Sequence, residues 1–96
     1  MSRALAAAIG VASIAAAVVA SAEPPAGAVS CSGCHPASTR VTSPVSRLAG
    51  LDRATIVRAM EDFRSGQRAG TVMGRIAKGF TDAEIQAIAA WYASQR

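Results

Sequence analysis

The sequence predicts an all-α domain. Two segments, residues 52–64 and residues 81–95, repeat apolar side chains at the period of an α-helix. No stretch alternates apolar and polar residues over the length of a strand. A short additional helix is expected over residues 28–34, where a small apolar stretch leads into a pair of cysteines.

Residues 1–22 are expected to be a signal peptide that precedes the domain. Arg3 supplies a positive start, and the Ala-rich run over residues 4–20 carries no charge. Ala20-Ser21-Ala22 has the small-x-small pattern of a cleavage site, so we predict cleavage there and export to the bacterial periplasm. The alternative is an uncleaved membrane anchor, but the run is short and only mildly hydrophobic for a bilayer span.

Residues 23–96 then form a single small domain. Loss of Arg3, the only charge in the leader, lowers the formal net charge from +4 to +3. A domain of this size usually needs a disulfide, a metal or a cofactor in addition to its hydrophobic core. We expect no nucleic-acid partner and no membrane span in the mature chain.

The middle helix has recognisable ends. Asp52 is the expected N-cap, and Gly66 follows the last helical residues as a stop signal. Ile56 and Met60 lie on the apolar stripe between them. The segments on either side of this helix, residues 36–46 and 67–79, are rich in Ser, Thr, Pro or Gly and are expected to be loops with at most a short helical turn.

The C-terminal helix has the better-specified start. Thr81 and Glu84 fit a capping box, in which the Glu84 side chain returns to the N-cap backbone. The apolar stripe predicts buried side chains on one face, with Trp91 at its border. Its members are Ile85, Ile88, Ala89 and Tyr92. We interpret Trp91 and Tyr92 as core aromatics against the N-terminal helix, not as electron relays.

The chemistry of the chain is concentrated in one motif. Cys31-Ser32-Gly33-Cys34-His35 is C-x-x-C-H, the attachment sequence of c-type haem. Thiols one helical turn apart can each form a thioether with one porphyrin vinyl group, and His35 then lies under the ring as an iron ligand. The motif contains every cysteine and the only histidine of the chain. We therefore predict one covalent haem c, held by Cys31 and Cys34 and ligated by His35.

Zinc binding, thiol redox exchange and a structural disulfide are less well supported roles for the two cysteines. A structural zinc site needs four ligands, and the chain has no further Cys or His. A thioredoxin-like redox pair needs a βαβ context, which the sequence lacks. A disulfide between Cys31 and Cys34 closes so small a loop that it adds little stability. A chance occurrence of the motif is the remaining alternative.

The second axial position of the iron can be filled by a methionine, a lysine or a small exogenous ligand. Met60 lies on an apolar helical stripe, where methionine usually fills the core. Met73 lies in the glycine-interrupted segment, where Gly70 and Gly74 allow the backbone to approach a flat cofactor closely. We predict Met73 as the sixth ligand, and His/Met ligation raises the haem potential relative to two histidines.

With these residues in place, residues 28–96 resemble a class I c-type cytochrome. Members of that family have three main helices wrapped around one covalent haem, and a loop that carries the methionine ligand. The resemblance implies that His35 and Met73 are the axial ligands and that the terminal helices cross and pack. The segments EDFRSG (61–66) and TVMGRIAKGF (71–80) resemble the haem domain of flavocytochrome c sulfide dehydrogenase more closely.

The closer resemblance implies a non-catalytic electron-transfer subunit. In such enzymes a flavoprotein oxidises sulfide at FAD and passes electrons to a small cytochrome subunit. The chain would then carry haem c, the FAD would reside on the partner alone, and a downstream acceptor would take the electrons. No sulfide oxidation is expected of the chain by itself. The alternatives are a free-standing electron shuttle and a haem enzyme or gas sensor with an open iron position.

Two features of the chain differ from the family pattern. Some relatives carry two such domains in tandem, whereas this chain has one motif and room for one domain. Relatives usually have a proline four residues before the position of Gly50, and its carbonyl supports the histidine ligand. Ser46 occupies that position here, with Pro44 nearby, so the carbonyl that orients His35 stays open.

Basic residues outnumber acidic ones in the predicted domain. They are either solvated surface charges, which contribute little, or a positive rim that steers an acidic partner. The residues concerned are Arg47, Arg64, Arg68, Arg75 and Lys78. Arg47 is also a candidate contact for a haem propionate.

Overall fold

The computed structural model describes residues 7–15, 23–36, 38 and 40–95. Within these ranges the chain forms helices and no strand, which confirms the all-α prediction for the described part. The helices are α1 (Ala28–Cys31), α2 (Arg53–Ser65), α3 (Met73–Lys78) and α4 (Asp82–Ser94). None of the described helices has the length and apolar character needed to cross a bilayer. The predicted cleavage site at residues 20–22 lies outside the described residues.

Helix α1 is shorter than predicted, because it ends at Cys31 and not at Cys34. The amides of Ser32, Gly33 and Cys34 donate to the carbonyl three residues earlier, so the chain continues as tight turns. Serine side chains favour these turns: the hydroxyl of Ser32 donates to the Val29 carbonyl oxygen at 2.6 Å. Such local side-chain hydrogen bonds compete with a regular helix.

Helix α2 begins and ends close to the predicted positions. Asp52 is its N-cap residue, as predicted, although its carboxylate makes no capping hydrogen bond. Gly66 ends the helix in the left-handed conformation with φ of 84°, which glycine adopts without a steric penalty. Ile56 and Met60 are buried, as the apolar stripe predicts.

The predicted capping box of α4 is confirmed. The Glu84 amide donates to the Thr81 hydroxyl oxygen at 3.2 Å, and the Thr81 amide donates to the Glu84 carboxylate at 3.0 Å. The hydrogen bonds that the Thr81 backbone amide and side chain make to the Glu84 carboxylate lower the pKa of that carboxyl. The stabilisation is therefore complete above the ordinary pKa of glutamate and is lost as the pH falls through the lowered value.

The core lies where α2 packs against α3 and α4, and α1 packs against α4. Few large side chains are buried in it, and several of the buried residues are alanines. Its members are Ala28, Ile56, Met60, Ala77, Ile85, Ile88, Ala89 and Tyr92. A core of this composition is small for a stable domain, which favours an additional non-protein component.

The N-terminal and C-terminal helices are joined by one buried hydrogen bond. Tyr92 is 1% exposed, and its hydroxyl donates to the Ala28 carbonyl oxygen at 2.5 Å. Burial raises the pKa of the Tyr92 phenol, and the nearby Cys31 thiol adds to this effect. The Trp91 ring lies edge-on to Tyr92, with 4.8 Å between the ring centroids. Tyr92 is therefore a core aromatic against the N-terminal helix, as the sequence indicates.

Tyr92→Phe is expected to lower the free energy of unfolding by about 1–2 kcal/mol, because it leaves the Ala28 carbonyl unpaired in the core. Urea unfolding of the haem-loaded protein measures the loss. Ser94→Ala is the matched control, since it also removes a hydroxyl that donates to a backbone carbonyl, at Trp91, but on the exposed side of α4. The control should change stability by less than about 0.5 kcal/mol. Equal losses in both variants would contradict the role assigned to the buried bond.

Candidate haem site

The two cysteines of the motif lie in different surroundings. Cys31 is half-buried at the end of α1 and packs against the core, whereas Cys34 is exposed on the turn that follows. Both are free thiols. Burial raises the pKa of the Cys31 thiol, and a backbone hydrogen bond works weakly in the opposite direction. Cys31 is therefore a neutral thiol near pH 7.

The turn carries the motif along one side of an open cleft. The cleft has a volume of about 340 Å³, and Cys34, Pro36 and Val41 line it. The cleft leaves the Cys34 thiol accessible from one side, while Cys31 faces the core. Of the two thiols on this short turn, that of Cys31 therefore lies against the core and that of Cys34 lies at the surface.

The His35 ring is held by one backbone carbonyl. Its Nδ1 lies 2.5 Å from the carbonyl oxygen of Ser46. A carbonyl oxygen only accepts hydrogen bonds, so Nδ1 carries a proton, and Nε2 is the ring nitrogen left for binding a metal. Histidines that bind metals are commonly fixed in this way by their second ring nitrogen. The carbonyl that orients His35 is therefore that of Ser46 and not that of Pro44.

Met73 and Met60 occupy different environments. Met60 is 8% exposed and belongs to the core, as expected of a packing residue. Met73 is half-buried at the first position of α3 and packs against the edge of the same core as Cys31. Met60 is therefore a buried core residue, whereas Met73 is partly accessible.

The segment before Met73 is packed on the Phe63 ring. A Cβ atom on Gly70 would lie 2.8 Å from Cε1 of Phe63, so the packing of the Phe63 ring favours glycine at this position. The Arg68 guanidinium lies over the Phe63 ring, with its Cζ 4.8 Å from the ring centroid. Phe63 therefore fixes the loop that leads into Met73.

These residues fit a covalently bound haem. The chain offers two free thiols one turn apart, an imidazole whose Nδ1 is held by the Ser46 carbonyl, and a partly accessible thioether on the same core. This donor set, nitrogen and thioether for iron and two thiols for the vinyl groups, matches haem c. The ligand roles of His35 and Met73 remain predictions.

Two contributions to the site had at most a weak signal in the sequence. Gly27 is the N-cap of α1 with φ of 87°, and it lies against Phe80, which brings α1 close to α4. A glycine directly before a short helix was the only signal of this contact. The carbonyl of Ser46 has no residue-specific signal, because any residue there offers the same acceptor; only its place four residues before Gly50, where relatives have a proline, pointed to it.

The known proteins that resemble this chain are named as cytochromes or as an electron acceptor. The chain is 41% identical over 64 residues to the cytochrome subunit of sulfide dehydrogenase from Chlorobaculum tepidum, which is 67% of this chain and 58% of that protein. It is 37% identical over 65 residues to the thiosulfate dehydrogenase electron acceptor of Stutzerimonas stutzeri, covering 66% of this chain and 30% of the relative. It is 34% identical over 64 residues to cytochrome c-552 of Acidithiobacillus ferridurans, covering 67% of this chain and 28% of the relative.

The chain thus spans little more than half the length of the first relative and under a third of the other two. No protein-family model matches it.

Proposed function

Because this chain belongs to the class I c-type cytochromes, we propose that it is a monohaem electron carrier that serves a flavoprotein sulfide dehydrogenase in the bacterial periplasm. The contact between His35 and Ser46 beside two free thiols is the observation that carries the proposal. When bound, haem c supplies an iron that gains and loses single electrons. The relative from Chlorobaculum tepidum supports sulfide dehydrogenase as the donor.

Each residue of the site has one task in this proposal. Cys31 and Cys34 hold the haem covalently, so that it is not lost in an exported protein. His35 presents Nε2 to the iron, and the Ser46 carbonyl keeps the ring in one tautomer and orientation. Met73 would hold the iron through its thioether sulfur, and a filled ligand position would favour electron transfer over oxygen chemistry.

Sulfide oxidation and haem reduction involve different numbers of electrons, so the chain needs a partner protein to oxidise sulfide. Oxidation of HS⁻ to sulfur releases one proton and two electrons, whereas this chain takes one electron at a time. Each sulfide therefore reduces two copies of the chain, through a partner that stores the electron pair. A flavin on the partner subunit can do this, and the chain retains no thiol for sulfide oxidation once both cysteines are bound to haem.

A free-standing electron shuttle is the second candidate. Two of the relatives are named as an electron acceptor and as a cytochrome c-552, with no enzyme subunit in either name. Gel filtration of a native extract distinguishes the candidates, since a shuttle elutes as a lone small haem protein and a subunit elutes with a flavoprotein.

Sulfide-dependent reduction is the decisive test of the proposed function. The haem-loaded chain is expected to be reduced by sulfide when a sulfide dehydrogenase flavoprotein subunit is added, and much more slowly by sulfide alone. The reaction is followed by haem absorbance. A Cys34→Ser preparation, which is expected to carry less covalent haem, is the control for how much of the absorbance change depends on the attached haem. A chain that sulfide alone reduces at the same rate, or that the flavoprotein leaves oxidised, contradicts the proposal.

A further inference from the structure

Residues 66–72, which we call the return loop, fold back onto the end of α2 before the chain enters α3. The Gly66 amide donates to the Phe63 carbonyl oxygen at 3.4 Å, and the Arg68 amide donates to the Asp62 carbonyl oxygen at 3.1 Å. Both carbonyls belong to the last turn of α2. The return loop is therefore attached to that helix by its backbone before α3 begins.

The Phe63 ring makes the side-chain contact between α2 and the return loop. A Cβ atom on Gly70 would lie 3.3 Å from Cδ1 of Phe63, in addition to its close approach to Cε1, so the loop backbone lies against one edge of the ring. The Arg68 guanidinium covers the ring from the same loop, as a cation over an aromatic face. Two residues of the return loop, Arg68 and Gly70, thus hold the ring.

Met73 lies directly beyond this contact. The Cβ position of Gly70 is 3.5 Å from the Met73 Cβ atom, and the Cβ position of Gly74 is 3.6 Å from the Phe63 carbonyl oxygen. Phe63 therefore lies beside the chain both before and after Met73, the first residue of α3.

The end of α2 that carries Phe63 is itself fixed to the rest of the fold. The neighbouring Arg64 forms an ion pair with Asp82, the first residue of α4. Met60, one turn earlier in α2, is buried in the core. Phe63 is thus presented by a helix end that is anchored at two points.

We propose that Phe63 is the positioning residue for Met73, and that its contact with Arg68 and Gly70 keeps the Met73 thioether at the iron. This inference rests on the proposed function, in which Met73 is an axial ligand. The groups that support a ligand set its orientation, and a ligand at the end of a loop is held only as firmly as that loop. Loss of the Phe63 ring therefore raises the fraction of molecules in which the thioether has left the iron.

Carbon monoxide measures this fraction in the reduced, haem-loaded chain, because it binds where an axial position is open. Its apparent binding rate rises in proportion to the population of the open form. The methionine–iron absorption band near the red end of the visible spectrum gives a second measurement, since it disappears when the thioether leaves. Neither measurement requires a partner protein.

Phe63→Leu is the main variant, and Phe80→Leu is its matched control. Phe63 and Phe80 are the two phenylalanines of the chain, both are half-buried, and each lies against a glycine, which is Gly27 for Phe80. We expect carbon monoxide to bind about tenfold faster to Phe63→Leu and less than about twofold faster to Phe80→Leu. The red band of Phe63→Leu should disappear on heating before the protein unfolds. Phe63→Tyr keeps the ring and should restore wild-type behaviour. Equal rates in the two leucine variants overturn the proposal.

Gly70→Ala tests the same contact from the return loop. Among the described glycines, those with positive φ are Gly27, Gly50 and Gly66, so alanine at position 70 adds a methyl group without left-handed strain. The methyl group would press on the Phe63 ring, and we expect carbon monoxide to bind about fivefold faster. In the Phe63→Leu background the same change should add less than about twofold. Additive effects would show that Phe63 and Gly70 act independently, which overturns the proposal.

The wild-type chain separates failure of the positioning role from failure of the proposed function. If the wild type lacks the red band, or binds carbon monoxide as fast as Met73→Ala does, the axial role of Met73 is overturned and the positioning role with it. If Met73→Ala abolishes a band that Phe63→Leu leaves as stable to heat as in the wild type, only the positioning role is overturned.

Discussion

Met73→Ala is expected to abolish the weak absorption band near the red end of the visible spectrum that marks a methionine–iron bond. The reduction potential should fall, because the thioether that favours the ferrous state is gone. The ferrous variant should also bind carbon monoxide rapidly, since one axial position becomes open. Fold stability should change only modestly, because Met73 is half-buried at the edge of the core.

Met60→Ala is the matched control for this prediction. Met60 is 8% exposed, so its truncation leaves a cavity and should lower the free energy of unfolding by about 2–5 kcal/mol. The red absorption band and the potential should stay close to those of the wild type. The opposite pattern, in which Met60→Ala loses the band and Met73→Ala keeps it, would assign the ligand to Met60.

Gly27→Ala is expected to destabilise the haem-loaded protein by about 2–5 kcal/mol, as the sum of a backbone and a packing effect. Gly27 has φ of 87°, a conformation that costs an L-residue with a side chain about 1–2 kcal/mol. The added Cβ would also lie 2.5 Å from Cε1 of Phe80, which forces the ring or α1 to move. Urea unfolding followed by tryptophan fluorescence and haem absorbance measures the loss.

Gly66→Ala isolates the backbone effect. Gly66 has φ of 84°, but nothing lies within 4 Å of the Cβ position. This control should therefore lose only about 1–2 kcal/mol. Phe80→Leu in the Gly27→Ala background should recover part of the packing loss, because a smaller side chain leaves room for the methyl group. Equal losses for Gly27→Ala and Gly66→Ala, with no recovery in the double variant, would contradict a steric role for Phe80.

Local sequence patterns predicted the long helices correctly because their signals act over a few residues. Thr81 and Glu84 form the capping box that their spacing indicates. Gly66 ends α2, and Ile56 is buried on the predicted stripe. The end of α1 was placed three residues too late. The helix ends at Cys31 because the next amides donate to carbonyls three residues earlier and the Ser32 hydroxyl donates to the Val29 carbonyl. Helical propensity does not predict that these local hydrogen bonds replace those of a longer helix.

The sequence alone determined that two thiols and an imidazole lie together, because the C-x-x-C-H motif carries them within five residues and their proximity needs no fold. Tertiary structure decided which distant groups support them. The Ser46 carbonyl reaches His35 across eleven positions, and the Tyr92 hydroxyl reaches Ala28 across sixty-four. A backbone carbonyl has no residue-specific signature, and a tyrosine on an apolar stripe does not reveal its hydrogen-bond partner. Such contacts between remote segments arise only when the helices pack.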